Sequence, residues 1–397
     1  MSDVLKLTEA EAQSDGRFAR LELIEWWDQC KLANARVVVI GAGALGNELL
    51  KNLALLGIGN VFVADLDLIE NSNLSRSVLY RAADCGRKKA EVAAARARDI
   101  YPDMKTQPFH GNVVYDLGLG IYRWADLILG GLDNREARVS INRAAARAGR
   151  IWIDGAIERL DGVARVFDPA VGPCYECTMS EIDWKMLEAR RSCALLTRDE
   201  MEHGKVPTTP TTASIIAGIQ IQEAVKLLHG LPTLSGQGFV FDGLNHQSYT
   251  VTYSRQADCS SHETDDPVTS LPWRTSATTA GQLLDRIRTD LGPGAVVEFN
   301  NDLLSGLTCT KCQTTAPLLA SLGKITENQG KCPTCGENRT PEIYHTLDGS
   351  ESFLDQSLAA LGVPPWDVVA GRMGMEQRFY EFAGDAPEVL GPLTARS

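Results

Sequence analysis

The chain has 397 residues, 44% hydrophobic and 23% charged, which is a globular composition with room for more than one core and excludes a disordered or fibrous protein. Its formal net charge of −12 argues against nucleic-acid binding, which needs a basic face. The polar, acidic stretch from Met1 to Asp15 has no apolar run of signal-peptide type, and no membrane-length apolar stretch follows, so a soluble, cytoplasmic protein without a membrane partner is expected.

Arg36-Val-Val-Val-Ile40 is a short β-branched run that predicts a buried strand. Gly41-Ala-Gly-Ala-Leu-Gly46 follows, then helix formers to Leu56, a stop at Gly57 and a second strand from Asn60 to Asp65. This order is a βαβ unit with parallel strands. Gly41, Gly43 and Gly46 fit the fingerprint that brings backbone amides and a helix N-terminus to a phosphate. On its own the fingerprint is equally compatible with a dinucleotide-binding dehydrogenase or a helix-packing glycine cluster.

The next stretch weighs against a dehydrogenase, which needs one acid there for ribose. Between Asp65 and Arg76 lie a second acid at Asp67 and an amide at Asn73, and Lys89 follows. Ala125-Asp-Leu-Ile-Leu129 predicts another strand, with Asp133-Asn134 just beyond it, where ligand-binding residues collect in open α/β sheets. A helix ending at Gly149 and a strand over Ile151 to Asp154 complete a doubly wound sheet over residues 36–155. Together these groups can handle a triphosphate and a metal.

Gly155 to Phe167 is expected to form a hairpin turning at Asp161-Gly162. A long apolar helix from Thr212 to His229, stopped by Gly230 and Pro232, closes the larger domain. The Thr, Asp, Ser and Pro content from Thr264 to Trp273 predicts a linker, so the expected division is residues 1–265, a linker over 266–276, and a small domain over 277–397.

Ten cysteines, most in short-spaced pairs, point to metal or catalysis in a reducing compartment. Cys309-Thr-Lys-Cys312 and Cys332-Pro-Thr-Cys335 have the spacing of a zinc ribbon, and four thiolates close the coordination shell, so this metal should be structural. Its expected use is holding together a small protein-docking module. Cys174-Tyr-Glu-Cys177 is a further two-residue-spaced pair that needs two more ligands. Cys30, Cys85 and Cys193 stand alone, and a lone cysteine is usually a small buried apolar residue.

From Arg17-Phe-Ala-Arg20, through the glycine loop, the Asp65 to Arg76 stretch, Lys89, Asp133-Asn134, Arg138 and Asn142, to the helix ending near Leu228, the chain resembles the activating enzymes for ubiquitin-like proteins. That family includes the bacterial adenylyltransferases that serve molybdopterin and thiamine synthesis. The resemblance implies a Rossmann-like adenylation domain with an inserted catalytic-cysteine segment at about 178–210, to which the ribbon cysteine spacing adds a small zinc-containing C-terminal domain. It implies ATP as substrate, with Asp65 on the ribose, Asn73, Arg76 and Lys89 at the phosphates, and Asp133 holding Mg²⁺. Arg20 would reach in from a second subunit, which implies a homodimer. Ser77 stands where the family commonly has glutamine.

Family members with a Cys-x-x-Cys pair at this position take a second one downstream. Here that place holds Cys259-Ser-Ser-His262, so the resemblance implies a first Zn²⁺ site of Cys174, Cys177, Cys259 and His262. Cys193 lies in the interval that holds the catalytic cysteine of relatives that pass their cargo to a thiol, and Arg190 and Arg191 would favour its thiolate. The expected reaction is adenylation of the C-terminal glycine of a ubiquitin-like protein, thioester capture on Cys193, and transfer to a conjugating enzyme. The alternative is a sulfur-carrier adenylyltransferase with no obligatory thioester. Two amphipathic helices, Ala280 to Arg288 and Phe353 to Gly362, are expected in the C-terminal region, which by position would dock a conjugating enzyme.

Overall fold

The computed structural model describes residues 16–192 and 207–394. Strands β1 (Arg36–Ile40), β2 (Asn60–Asp65), β3 (Lys105–His110), β4 (Leu127–Gly130) and β5 (Trp152–Glu158) run parallel in the order β3-β2-β1-β4-β5. The antiparallel strands β6 (Asp161–Phe167), β7 (Gln237–Asp242) and β8 (Gln247–Thr252) extend the sheet to eight.

The run Val37 to Ile40 is apolar without a break because both faces of the sheet are covered. Helices α1 (Gln29–Asn34), α2 (Ala44–Leu56), α3 (Lys89–Ile100), α4 (Leu119–Trp124), α5 (Arg135–Arg147), α6 (Glu181–Ser192) and α7 (Pro210–His229) do the covering. Side chains alternate with the pleat. Val37 and Val39 join Leu49, Leu53, Ala93 and Ile216 of α2, α3 and α7, whereas Val38 and Ile40 join Ile121 and Val139 of α4 and α5. Thr209 caps α7 by accepting from the Thr212 amide, and Gly230 ends it at φ +73°.

β1 connects to β2 on one side and β4 lies on the other, so strand order reverses between β1 and β4. In open α/β sheets the crevice beyond the C-terminal ends of the strands at such a reversal is where ligands bind.

The remaining strands, β9 (Val268–Leu271), β10 (Val296–Cys309), β11 (Thr314–Ser321), β12 (Thr340–Leu347), β13 (Val368–Met373) and β14 (Glu376–Phe382), form a second sheet in the order β11-β10-β13-β14-β9, with β12 also on β10. Helix α8 (Ala280–Leu291) packs Leu283, Leu284, Ile287 and Leu291 against Val297, Val369 and Tyr380. A reciprocal Thr279–Gln282 capping box begins that helix.

Three local expectations change. The hairpin turns at Arg159-Leu160, with Arg159 at φ +54°, while Asp161 and Gly162 lie in β6. Gly162 is needed there for packing, because a Cβ would stand 2.4 Å from Ile216 Cγ1. The expected linker contains β9, which pairs in parallel with β14. The stretch from Phe353 to Gly362 is helical at Leu358–Leu361, with turns before it.

The C-terminal region also shares a core with the larger sheet. Trp366, Val368, Leu390 and Leu393 are buried among residues of α4 and α5. No helix among the described residues is long and apolar enough to cross a membrane.

Candidate nucleotide site and metal clusters

The glycine loop leaves the C-terminal end of β1 with Gly41 at φ +93°. Its amide donates to Ala64 O at 2.8 Å, which ties the loop to β2. A Cβ on Gly46 would stand 1.9 Å from Gly41 O, so the helix can start this close to the strand with glycine there. Gly43 is the N-cap of α2 and offers no side chain to the first amides. Nothing lies within 4 Å of where its Cβ would be. No protein group therefore fills the space beside the α2 N-cap at Gly43, and a helix N-terminus favours a phosphate.

Asp65, at the end of β2, fixes this loop. One carboxylate oxygen accepts from Ala42 N at 2.7 Å and the other from Asp67 N at 2.7 Å. Burial raises the Asp65 pKa, and the nearby Lys89 cation opposes the rise. Lys89, in the first turn of α3, lies 2.7 Å from Asp67 Oδ2, and its own amide donates to Asp67 O at 3.0 Å. Asp65, Asp67 and Lys89 thus form one cluster beside the glycine loop.

Asn73 is buried, and its Oδ1 accepts from Glu70 N at 3.0 Å, so part of its hydrogen-bonding capacity shapes the loop after β2. Arg76 is half-buried and donates to Ser72 O at 2.9 Å. Ser77 is buried. Beyond β4, the Gly131 backbone packs against the glycine loop, its carbonyl 2.5 Å from where a Gly41 Cβ would be. Asp133 follows two residues later and is exposed, while Asn134 caps α5 by accepting from Ala137 N at 2.8 Å.

Beneath this edge Asp154 is fully buried between two guanidinium groups. Arg138 Nε donates to Oδ1 at 3.0 Å and Arg165 Nε to Oδ2 at 3.2 Å. Arg138 also donates to Leu132 O at 2.6 Å, which fixes the strand-to-helix turn that carries Asp133. Burial alone would raise the Asp154 pKa, but the two cations outweigh it and hold the carboxylate below its usual range.

Arg20 is exposed and is not brought to the glycine loop of its own chain. Its neighbour Phe18 packs at Gly57, the far end of α2 from that loop. Cys30 and Cys85 are exposed. Cys193 lies outside the described residues.

Two sulfur clusters stand apart from this edge. Cys174, Cys177, Cys259 and His262 come together, as do Cys309, Cys312, Cys332 and Cys335, with the ligand atoms of each group within 4.8 Å of one another. A tetrahedral zinc with Zn–S bonds of about 2.3 Å requires sulfurs about 3.7 Å apart. Cys174 Sγ lies 3.7 Å from Cys177 Sγ and 3.6 Å from Cys259 Sγ, while Cys309 and Cys335 are 3.6 Å apart. The Cys312–Cys332 separation is 4.0 Å, and His262 Nε2 lies 3.2 Å from Cys177 Sγ. Both donor sets fit one metal ion each.

The electrostatics agree with that fit. Burial, reinforced by the neighbouring Cys174, pushes the Cys259 thiol up to about 12, so these sulfurs need a cation to ionise together. Burial and the Arg255 charge lower the His262 pKa and favour the neutral, metal-binding imidazole. In the second cluster, backbone amides of Thr334 and Cys335 bring Cys332 down to about 6. Helix α5 braces the first cluster. Arg143 Nε donates to the buried Glu176 at 2.7 Å, and Arg147 Nε donates to Asp265 at 3.0 Å.

A model described as the ThiF family matches residues 16–261, more than half of the chain. The chain belongs to the ThiF family. Among its ThiF-type relatives, a SAMP-activating enzyme E1 of Haloferax volcanii is 32% identical over 239 residues, covering 58% of this chain and 81% of that protein. A sulfur carrier protein adenylyltransferase of Thermus thermophilus is 32% identical over 237 residues, covering 58% and 83%. A NEDD8-activating enzyme E1 catalytic subunit of Arabidopsis thaliana is 41% identical, with coverage of 36% of this chain and 34% of that one. The structure of E. coli MccB with ATP shares the fold at a TM-score of 0.53 and 22% identity, covering 65% of this chain and 77% of that one.

Three contributors to this edge escape a reading of the sequence. Asn47 and Tyr80 hold the glycine loop from below, and Gln220 of α7, fully buried, donates to Gly130 O at 2.8 Å. Asn47 leaves one local signal, a poor helix former directly after the last fingerprint glycine.

Proposed function

We propose that this ThiF-family chain uses MgATP to adenylate the C-terminal glycine carboxylate of a ubiquitin-like protein. The carrying observation is the collection of the α2 N-terminus with its unfilled Gly43 side, the Asp65–Asp67–Lys89 cluster and Asp133 at the edge where strand order reverses. Asp65 would hold the ribose, while Asn73, Arg76 and Lys89 face the phosphates. Asp133 would hold Mg²⁺, which offsets charge on the departing pyrophosphate. A carboxylate oxygen of the small protein attacks the α-phosphorus as the bond to the β-phosphate oxygen breaks, giving an acyl adenylate and pyrophosphate. The chain's work is alignment and charge neutralisation, with Arg20 of a second copy completing the cation set.

Cys193 then attacks the acyl carbon through its thiolate, forming a thioester and releasing AMP, and a conjugating enzyme docked on the region 277–397 receives the cargo. Both sulfur clusters hold structural Zn²⁺, and the setting is the cytoplasm. A second reading is favoured by the match that spans most of the Thermus sulfur carrier protein adenylyltransferase: the adenylate passes to a sulfur donor without an obligatory thioester.

The test combines pyrophosphate exchange with non-reducing gels, using MgATP and candidate small proteins encoded near this chain. A thiol-labile adduct that disappears in Cys193→Ala, with exchange preserved, supports capture. Exchange without a Cys193-dependent adduct supports the sulfur-carrier route. Neither signal with a validated partner overturns both.

A further inference from the structure

Asn47 is the fully buried residue that directly follows the last glycine of the loop, and three of its side-chain hydrogen bonds go to the backbone of the nucleotide edge. Its Nδ2 donates to Ala42 O at 2.7 Å and to Gly43 O at 3.0 Å. Its Oδ1 accepts from Leu79 N at 2.9 Å. Tyr80 adds a hydroxyl donor to the same Ala42 carbonyl at 2.6 Å and reaches Lys89 O at 3.3 Å.

The consequence is directional. A glycine-rich loop can rotate its peptide planes, and carbonyls turned outward would repel a phosphate. With the Ala42 and Gly43 carbonyls bound inward by Asn47, that rotation is opposed and the positive end of α2 stays available. The acceptor half of the same amide holds Leu79, three residues beyond Arg76, so one side chain sets the spacing between the glycine loop and the segment carrying a phosphate-facing cation.

We propose that Asn47 is a positioning residue for nucleotide binding and adenylation, acting by orienting the glycine loop and registering the Arg76 segment against it, with Tyr80 as its auxiliary. This rests on the adenylation reading above. An apolar side chain of the same size could fill the space, but it could supply none of the three hydrogen bonds.

Four measurements on the full chain test it: MgATP affinity by calorimetry, the KM for ATP and kcat in pyrophosphate exchange, zinc content, and thermal midpoint. Asn47→Asp keeps the acceptor for Leu79 but loses both donors and sets a charge beneath the phosphate position. It is expected to weaken MgATP binding and raise the KM about 100-fold, a misplacement-sized effect, with zinc retained. Asn47→Ser, with a shorter donor, and Tyr80→Phe are each expected to raise the KM about 10-fold, and they carry the test if Asn47→Asp does not fold. A purely structural Asn47 would lower the thermal midpoint and the active fraction while leaving the KM of the folded enzyme unchanged, which overturns the proposal. Wild-type protein that binds no MgATP overturns the adenylation reading itself, whereas wild-type binding with unaltered variants overturns the role of Asn47 alone.

Discussion

Lys89 Nζ lies 2.7 Å from Asp67 Oδ2, which joins the first turn of α3 to the acidic loop after β2. The same cation opposes the burial-driven rise of the Asp65 pKa. Lys89→Met would therefore let the Asp65 carboxyl rise further and, on the proposed reading, would remove a charge that faces the phosphates. Exchange activity is expected to fall about 100-fold, the scale of losing one electrostatic stabiliser. If Asp65 holds the ribose as proposed, it does so as an ionised acceptor, and residual MgATP binding in the variant should begin to fail at higher pH than in wild type. Calorimetric titrations from about pH 5 to 8 check this, and an unchanged acid limb would contradict it.

Asp154 Oδ1 and Oδ2 each serve one guanidinium, from Arg138 and Arg165. Asp154→Asn leaves two buried cations without a counter-charge and is expected to cost about 3–5 kcal/mol. The folded pKa lies below the unfolded one, so this stabilisation is fully present above the unfolded value of about 3.9 and is lost as pH falls through the folded value. Urea unfolding of wild type and variant should show a constant gap at neutral pH that narrows below about pH 4.

The two sulfur clusters predict two zinc ions per chain, measurable by elemental analysis. Cys332→Ser should leave one of them and lower the thermal midpoint by about 10 °C, since a structural metal site contributes directly to folding. Prolonged chelation should release both. A variant that keeps two ions would contradict the assignment of the second site.

Gly120 sits under Trp366, whose indole lies 2.5 Å from where a Cβ would be. Gly120→Ala forces that ring away and should cost about 1–3 kcal/mol by overpacking. It should also increase protease cleavage between α8 and β14, because Trp366 and Val368 anchor this region on α4 and α5. Unchanged cleavage with an unchanged thermal midpoint would contradict the role given to that contact.

The order of elements around the glycine loop is legible in the chain because it is written in local terms. A β-branched run, spaced glycines and an apolar helix are patterns over a few residues, and β1, α2 and β2 fall where those patterns end. The four ribbon cysteines are legible for the same reason: a two-residue spacing already brings two sulfurs to one ion. What tertiary structure decided is which surface each pattern meets. The Asp161-Gly162 pair looks like a turn, yet Gly162 is in β6 because Ile216, distant in sequence, needs its space. The polar stretch before Trp273 looks like a linker, yet β9 finds an edge of β14 more than a hundred residues away in sequence. Asp367 accepts from Leu119 N at 2.9 Å across 248 positions. Asn47 likewise acquires its role through Leu79, Ala42 and Gly43 together. Periodicity and spacing encode which face is buried and which side chains lie side by side locally, but the partner that covers a face or satisfies a buried amide is chosen when the whole chain closes.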